Sequence, residues 1–234
     1  MEKEKKFNLK NILTGVGVIF FYLFTSTFVT EILSGLGINY NNLSTPLKST
    51  CLIIYQILMT LVIVYICKKI IITDFKAFIK NNIKYFKEYI KYWFLMLMLM
   101  ISSNLIVTFF TTTDIANNQN TIIETLKVAP IYTFILTVFV APILEELVFR
   151  LSFRKIFSNN ILFILFSGLV FGSMHVIGTC EHLIDLLFII PYSIPGFIFA
   201  YIYTKSKNIC VPISLHFIHN GVMMSLQILL LILT

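Results

Sequence analysis

Long apolar runs, punctuated by short lysine-bearing segments, set the pattern of this chain. Runs at roughly 11–34, 48–67, 92–111, 128–157, 160–177, 181–204 and 210–234 each approach the about 20 residues that a helix needs to cross a bilayer. They are apolar on every side. An open sheet would leave backbone polar groups unpaired in hydrocarbon, and a barrel strand would alternate at every second residue. The pattern therefore predicts an all-α, polytopic transmembrane helix bundle of about seven spans, with residues 1–234 as a single integral membrane domain.

One stretch has another period. In residues 75–91, Lys76, Lys80, Lys84, Lys87 and Lys91 recur every three or four positions, while Phe75, Phe78, Ile79, Ile83, Phe86 and Ile90 take the other side. This predicts an amphipathic interfacial helix on the cytoplasmic leaflet, with anionic lipid as its partner. Packing on the bundle's own cytoplasmic end is the alternative.

The cations give an orientation. Alternate loops on one side hold sixteen Lys and Arg residues, from Lys3, Lys5, Lys6 and Lys10 through the 68–91 segment to Arg150, Arg154, Lys155, Lys205 and Lys207. The other side holds only Lys48 and Lys127. The positive-inside rule places the first side, and the N-terminus, in the cytoplasm and the C-terminus outside. The opening MEKEKKFNLK and the long apolar run behind it read as an uncleaved signal anchor.

Composition narrows the classes further. Charged residues are 12% and apolar ones 58% of 234 residues, about half the charge that a soluble domain carries. That excludes a soluble enzyme, a disordered chain and a disulfide scaffold. The formal charge of +7 does not indicate nucleic acid, because the basic residues lie between apolar runs and not on one solvated face. Cys51, Cys67, Cys180 and Cys210 show no CxxC spacing and read as small buried hydrophobes. Abundant Lys, Asn, Ile and Phe match AT-rich codons and point to a bacterial plasma membrane.

Against this background the ionisable residues inside spans stand out, since each is costly there. They are Glu145, Glu146 and Arg150 in span four, His175 in span five, and His216 and His219, with Asn220, in span seven. Glu146 and Arg150, four apart, share a helix face and suit an ion pair. Glu145 is rotated about 100° from its neighbour. A carboxylate held beside another suits a general base for water. His216 and Asn220, again four apart, suit donors to a developing oxyanion. Helical rise brings the three clusters to similar depths, roughly 9 to 22 Å from the cytoplasmic ends. Glu31, at the outer end of span one, reads as solvated, and His182 and His219 as solvated or bonded to a neighbouring helix. Glu145, His175 and His216 also form a plausible zinc set, though no HExxH is present.

These residues resemble a known family. EELVFR is an EExxxR motif, FGSMH an FxxxH motif and HFIHN an HxxxN motif. In order and separation they resemble the CAAX-protease and bacteriocin-processing family of intramembrane proteases, also called the Abi or self-immunity family, which includes the type II CAAX prenyl endopeptidases. The resemblance spans residues 145–220 and implies a catalytic core over 128–234. It implies that Glu145, aided by His175, activates water, that Glu146 and Arg150 support the site, and that His216 and Asn220 stabilise the oxyanion. It implies no cofactor, with zinc as the alternative, and a peptide or membrane-anchored protein as substrate. Family members commonly have eight spans, against seven counted here.

The expectation is thus an intramembrane endopeptidase with a site reached from the cytoplasm, serving peptide maturation or bacteriocin immunity. Two other classes remain: a non-catalytic membrane scaffold or regulator, and a proton-coupled transporter using the same Glu and His residues. A transporter would more often show inverted repeats and broken helices, and Pro191 and Pro195-Gly196 are the only hint of a break.

Overall fold

The computed structural model describes residues 8–111 and 116–233. Lys3, Lys5 and Lys6, part of the orientation argument, lie outside the described residues. No strand occurs among the described residues. We label the main helices α1 (Leu9–Gly35), α2 (Thr45–Phe110), α3 (Asn117–Val128), α4 (Pro130–Ile156), α5 (Asn160–Val176), α6 (Ile189–Ser206) and α7 (Cys210–Leu233). Among the described residues, four helical stretches are long and apolar enough to cross a membrane: Thr50–Phe110, Pro130–Ile156, Leu183–Ser206 and Cys210–Leu233. Leu9–Phe24 and Asn160–Val176 are shorter apolar helices. The chain is an all-α integral membrane protein.

Helix α2 has 66 residues, about 100 Å if straight and far beyond a hydrocarbon core of about 30 Å. It is broken by non-helical dihedrals at Asn81 (φ −128°, ψ 18°). Asn82 Oδ1 accepts from the Ile83 amide at 2.6 Å just beyond the break. The rings of Phe78 and Tyr85 stack at 6.1 Å across it, closer than the rise of about 10 Å over seven helical residues. Before the break, Asp74 Oδ2 accepts from the Ile209 amide at 2.7 Å, and Asn208 Nδ2 donates to the Asp74 carbonyl at 2.8 Å. After it, Tyr92 packs on Tyr201, and Val107 joins Val176 and Phe188. The second limb therefore runs antiparallel to α6. The two apolar runs, 48–67 and 92–111, are the two limbs. Within 75–91, Phe75, Ile79, Ile83 and Phe86 stay exposed, while Phe78, Tyr85 and Tyr89 pack against α6 and α7.

Helices α5 and α6 make the closest crossing. A Cβ on Gly196 would meet the Gly168 backbone at 2.7 Å, and small residues are what let helices approach this way in a membrane. Helix α1 lies against α4, with Gly15 beside the Ser152 carbonyl. The run read as 181–204 starts differently. Leu183–Phe188 is a 3-10 turn, and the α-helix begins at Ile189. The Asp185 carboxylate accepts from the Glu181 and His182 amides at 3.1 and 2.9 Å and so fixes that turn. Of the cysteines, Cys67 is buried, whereas Cys51, Cys180 and Cys210 are only partly so.

Candidate active site

Helix α4 carries the two acidic residues, and it is not regular. Leu136–Val140 and Glu146–Ser152 are π-helical turns, a widening that recurs at functional sites. The first has a sequence cause. The Ala141 amide bonds the Leu136 carbonyl, five residues back. In that register the next donor would be residue 142, a proline with no N–H. The Thr137 carbonyl is thus left without a backbone donor, and Asn220 Nδ2 donates to it at 2.8 Å. At the second turn, Ser167 Oγ of α5 donates to the Phe149 carbonyl at 2.6 Å. Each widened turn is pinned by a polar side chain from a neighbouring helix.

The widened α4 presents both carboxylates to one imidazole. His216 Nδ1 lies 2.9 Å from Glu146 Oε1, and His216 Nε2 lies 3.7 Å from Glu145 Oε2. The 100° rotation between the two Glu side chains sets them on the two nitrogens of the same ring. Arg150 Nε sits 3.0 Å from Glu146 Oε2, with both side chains fully buried. The contact is an ion pair and not an aligned hydrogen bond. The guanidinium lies over Phe171 at 4.6 Å and reaches toward the Pro195 carbonyl at 3.5 Å.

On the other side of Glu145 stands His175, with Nε2 4.0 Å from Glu145 Oε1. Its Nδ1 donates to the Phe171 carbonyl at 2.8 Å. That bond places the proton on Nδ1 and leaves the Nε2 lone pair toward Glu145. Side-chain exposure falls across the cluster, from 23% for His175 and 15% for Glu145 to 4% for His216. Glu145, Glu146, Arg150, His175 and His216 are therefore brought together. Asn220 reaches the same helix one turn and more away from Glu145, through the Thr137 carbonyl. His219 is buried, and its Nδ1 has no hydrogen-bond partner among the described residues. His182 is exposed, as is Glu31.

Several contributors escaped sequence reasoning. Tyr192 stacks on His175 at 5.4 Å, and Phe199 stacks on His216 at 4.8 Å. Aromatic residues are too common in apolar runs to be singled out by pattern. Pro142 carried a usable signal: a proline inside a span leaves a carbonyl that something must satisfy. Among the described residues, no three His, Cys, Asp or Glu side chains converge closely enough to hold a metal ion.

Residues 127–222 match the family described as Type II CAAX prenyl endopeptidase Rce1-like, and all three motifs lie inside that stretch. The chain is 29% identical over 116 residues to the "Putative membrane peptidase YdiL" of Bacillus subtilis, a match covering 48% of this chain and 44% of that protein. It is 28% identical over 158 residues to the "Membrane-embedded CAAX protease MroQ" of Staphylococcus aureus, covering 61% and 60%. An uncharacterized protein of Mycoplasma capricolum is 35% identical over 100 residues, covering 40% and 28%. In each case the match spans less than two thirds of the relative's length. No solved structure matches the chain. Residues 127–222, which carry all three motifs, are thus similar to the Rce1-like CAAX protease family.

Proposed function

We propose that the chain is an intramembrane endopeptidase that hydrolyses a hydrophobic or membrane-anchored peptide with a water activated by Glu145. The observation that carries the reading is Glu145 flanked by His175 and His216 at 4.0 and 3.7 Å. Those separations exceed a direct hydrogen bond and suit a shared water. In this mechanism Glu145 takes a proton from the water as its oxygen bonds to the peptide carbonyl carbon. The His175 lone pair orients the water through its second hydrogen.

The resulting oxyanion needs donors. His216 spends Nδ1–H on Glu146, so it donates from Nε2 only as an imidazolium. With Glu145 and Glu146 ionised and Arg150 cationic, that form balances the charge of the buried cluster. Asn220 contributes its remaining N–H, since a carboxamide has two and one serves Thr137. The C–N bond then breaks, and Glu145 returns its proton to the leaving amine. Glu146 and Arg150 hold His216 in place. Zinc on Glu145, His175 and His216 is the second reading, and it requires these three side chains to draw closer together than they stand here. It is favoured by His175 giving its other nitrogen to a carbonyl, as metal-bound histidines do.

We also propose the bacterial plasma membrane as the location, with the lysine-rich ends of the spans in the cytoplasm, and peptide maturation or bacteriocin immunity as the role. The test is incubation of the purified protein with a membrane-peptide library, read by mass spectrometry. Glu145→Gln should abolish cleavage while the protein stays folded; cleavage at the wild-type rate rejects Glu145 as the base. Activity should survive prolonged EDTA or phenanthroline. Loss restored by zinc, with stoichiometric bound metal, establishes the second reading instead.

A further inference from the structure

We infer that the Glu145 site is reached from the end of the bundle opposite the lysines, past His175, and that its substrate is a peptide segment on the extracytoplasmic side. The inference rests on the protease reading and on the orientation taken from the lysines. It departs from the cytoplasmic approach expected from the sequence.

Depth is read from how α5 and α6 cross. Phe163 meets Tyr203 near the lysine end, Gly168 meets Phe197, Gly172 meets Ser193, and His175 meets Tyr192. His175 is thus fifteen residues from the start of α5, about 22 Å up, and one residue from its end. His216 is only six residues into α7, about 9 Å up. Glu145 lies eleven residues from the end of α4, about 16 Å up. The cluster therefore slants across the middle of the bilayer, with His175 in the half away from the lysines.

Exposure rises along the same line, from the buried Glu146, Arg150 and His216 to Glu145 and His175. Toward the lysine end the site is sealed. Leu147, Phe149, Arg150, Phe163, Phe199 and Ile202 are buried there without residual exposure of note. Toward the other end, His175 borders a small cavity shared with Asn117, Thr179, Cys180, Asp185 and Phe188, with room for about one water. Those residues come from the far ends of α3 and α5 and from the turn before α6. The cavity stops at His175, so a chain arriving from that end has to widen it before it meets Glu145. One arriving from the lysine end meets packed side chains.

Accessibility tests this without relying on proteolysis. The full-length chain is prepared with Cys180 as its only cysteine, and cysteine-free versions carry His175→Cys, Glu145→Cys or Ser206→Cys. Each is treated in intact cells, and then in opened cells, with a small impermeant thiol reagent. Cys180, His175→Cys and Glu145→Cys should label in intact cells, and Ser206→Cys only after opening. Labelling of His175→Cys and Glu145→Cys only after opening overturns the inference, as does their failure to label in either state. In sealed vesicles of both orientations, the unmodified protein should cleave added peptide only from the Cys180 face. Cleavage confined to the Ser206 face also overturns the inference. Cleavage from neither face rejects the protease reading, and the labelling result still decides the direction of approach.

Discussion

The bond between Asn220 and the Thr137 carbonyl can be tested against the proline that makes it necessary. Asn220→Ala removes the donor at 2.8 Å and leaves that carbonyl unsatisfied inside the bundle, a loss of about 1–3 kcal/mol. Pro142→Ala restores a backbone N–H at the position the widened turn requires. In the Pro142→Ala background the same Asn220→Ala change should therefore cost less than about 1 kcal/mol. The expected coupling between the two sites is on the order of 1–2 kcal/mol, within the range found for residues that share a partner. Thermal unfolding in detergent would read it. For soluble domains of comparable length, 1 kcal/mol is about 2–4 °C in Tm, so the single variant should melt several degrees lower and the double variant should recover most of that. Strictly additive shifts would refute the reasoning, because they would show that Asn220 and Pro142 do not act on the same carbonyl. Cleavage assays on the four proteins separate the two roles of Asn220. If it also serves the oxyanion, the double variant regains stability but not rate.

Glu146→Gln strands Arg150 without its buried anion, and breaking such a pair costs about 3–5 kcal/mol; an unchanged Tm would count against the pair seen at 3.0 Å. Gly196→Ala drives a methyl into the Gly168 backbone and should destabilise by about 1–3 kcal/mol. It should also lower cleavage by shifting His175 on α5, and wild-type Tm and rate together would show that the crossing has slack. Replacing Lys76, Lys80, Lys84 and Lys87 with Gln should remove any extra stability that the protein gains in anionic over neutral nanodiscs, and added salt should do the same to the unmodified chain. Equal stability of the unmodified chain in the two lipids would remove the electrostatic part of the interfacial-helix reading.

Hydrophobic length and charge asymmetry are local sums along a chain, which is why the spans were legible. The run 11–34 became Leu9–Gly35, 128–157 became Pro130–Ile156, 160–177 became Asn160–Val176, and 210–234 became Cys210–Leu233. The Glu146–Arg150 pair was legible for the same reason, since a helix brings positions four apart together wherever it sits. Counting helical rise placed Glu145, His175 and His216 in a common depth band, though not in contact.

Tertiary structure decided the rest. Only the crossing of α4, α5 and α7 sets Glu145 between two imidazoles and puts both carboxylates on one ring, because these distances depend on rotation and tilt, which no local pattern carries. Pro142 leaves the Thr137 carbonyl without a backbone donor, but only neighbouring helices supply the bonds that hold the widened turns, from Asn220 to Thr137 and from Ser167 to Phe149. The break at Asn81 and the 3-10 turn held by Asp185 likewise follow from side-chain bonds to the backbone that hydrophobicity does not register. Sequence alone determined that this chain lives in a membrane and which polar residues it holds there. Packing determined which of them meet.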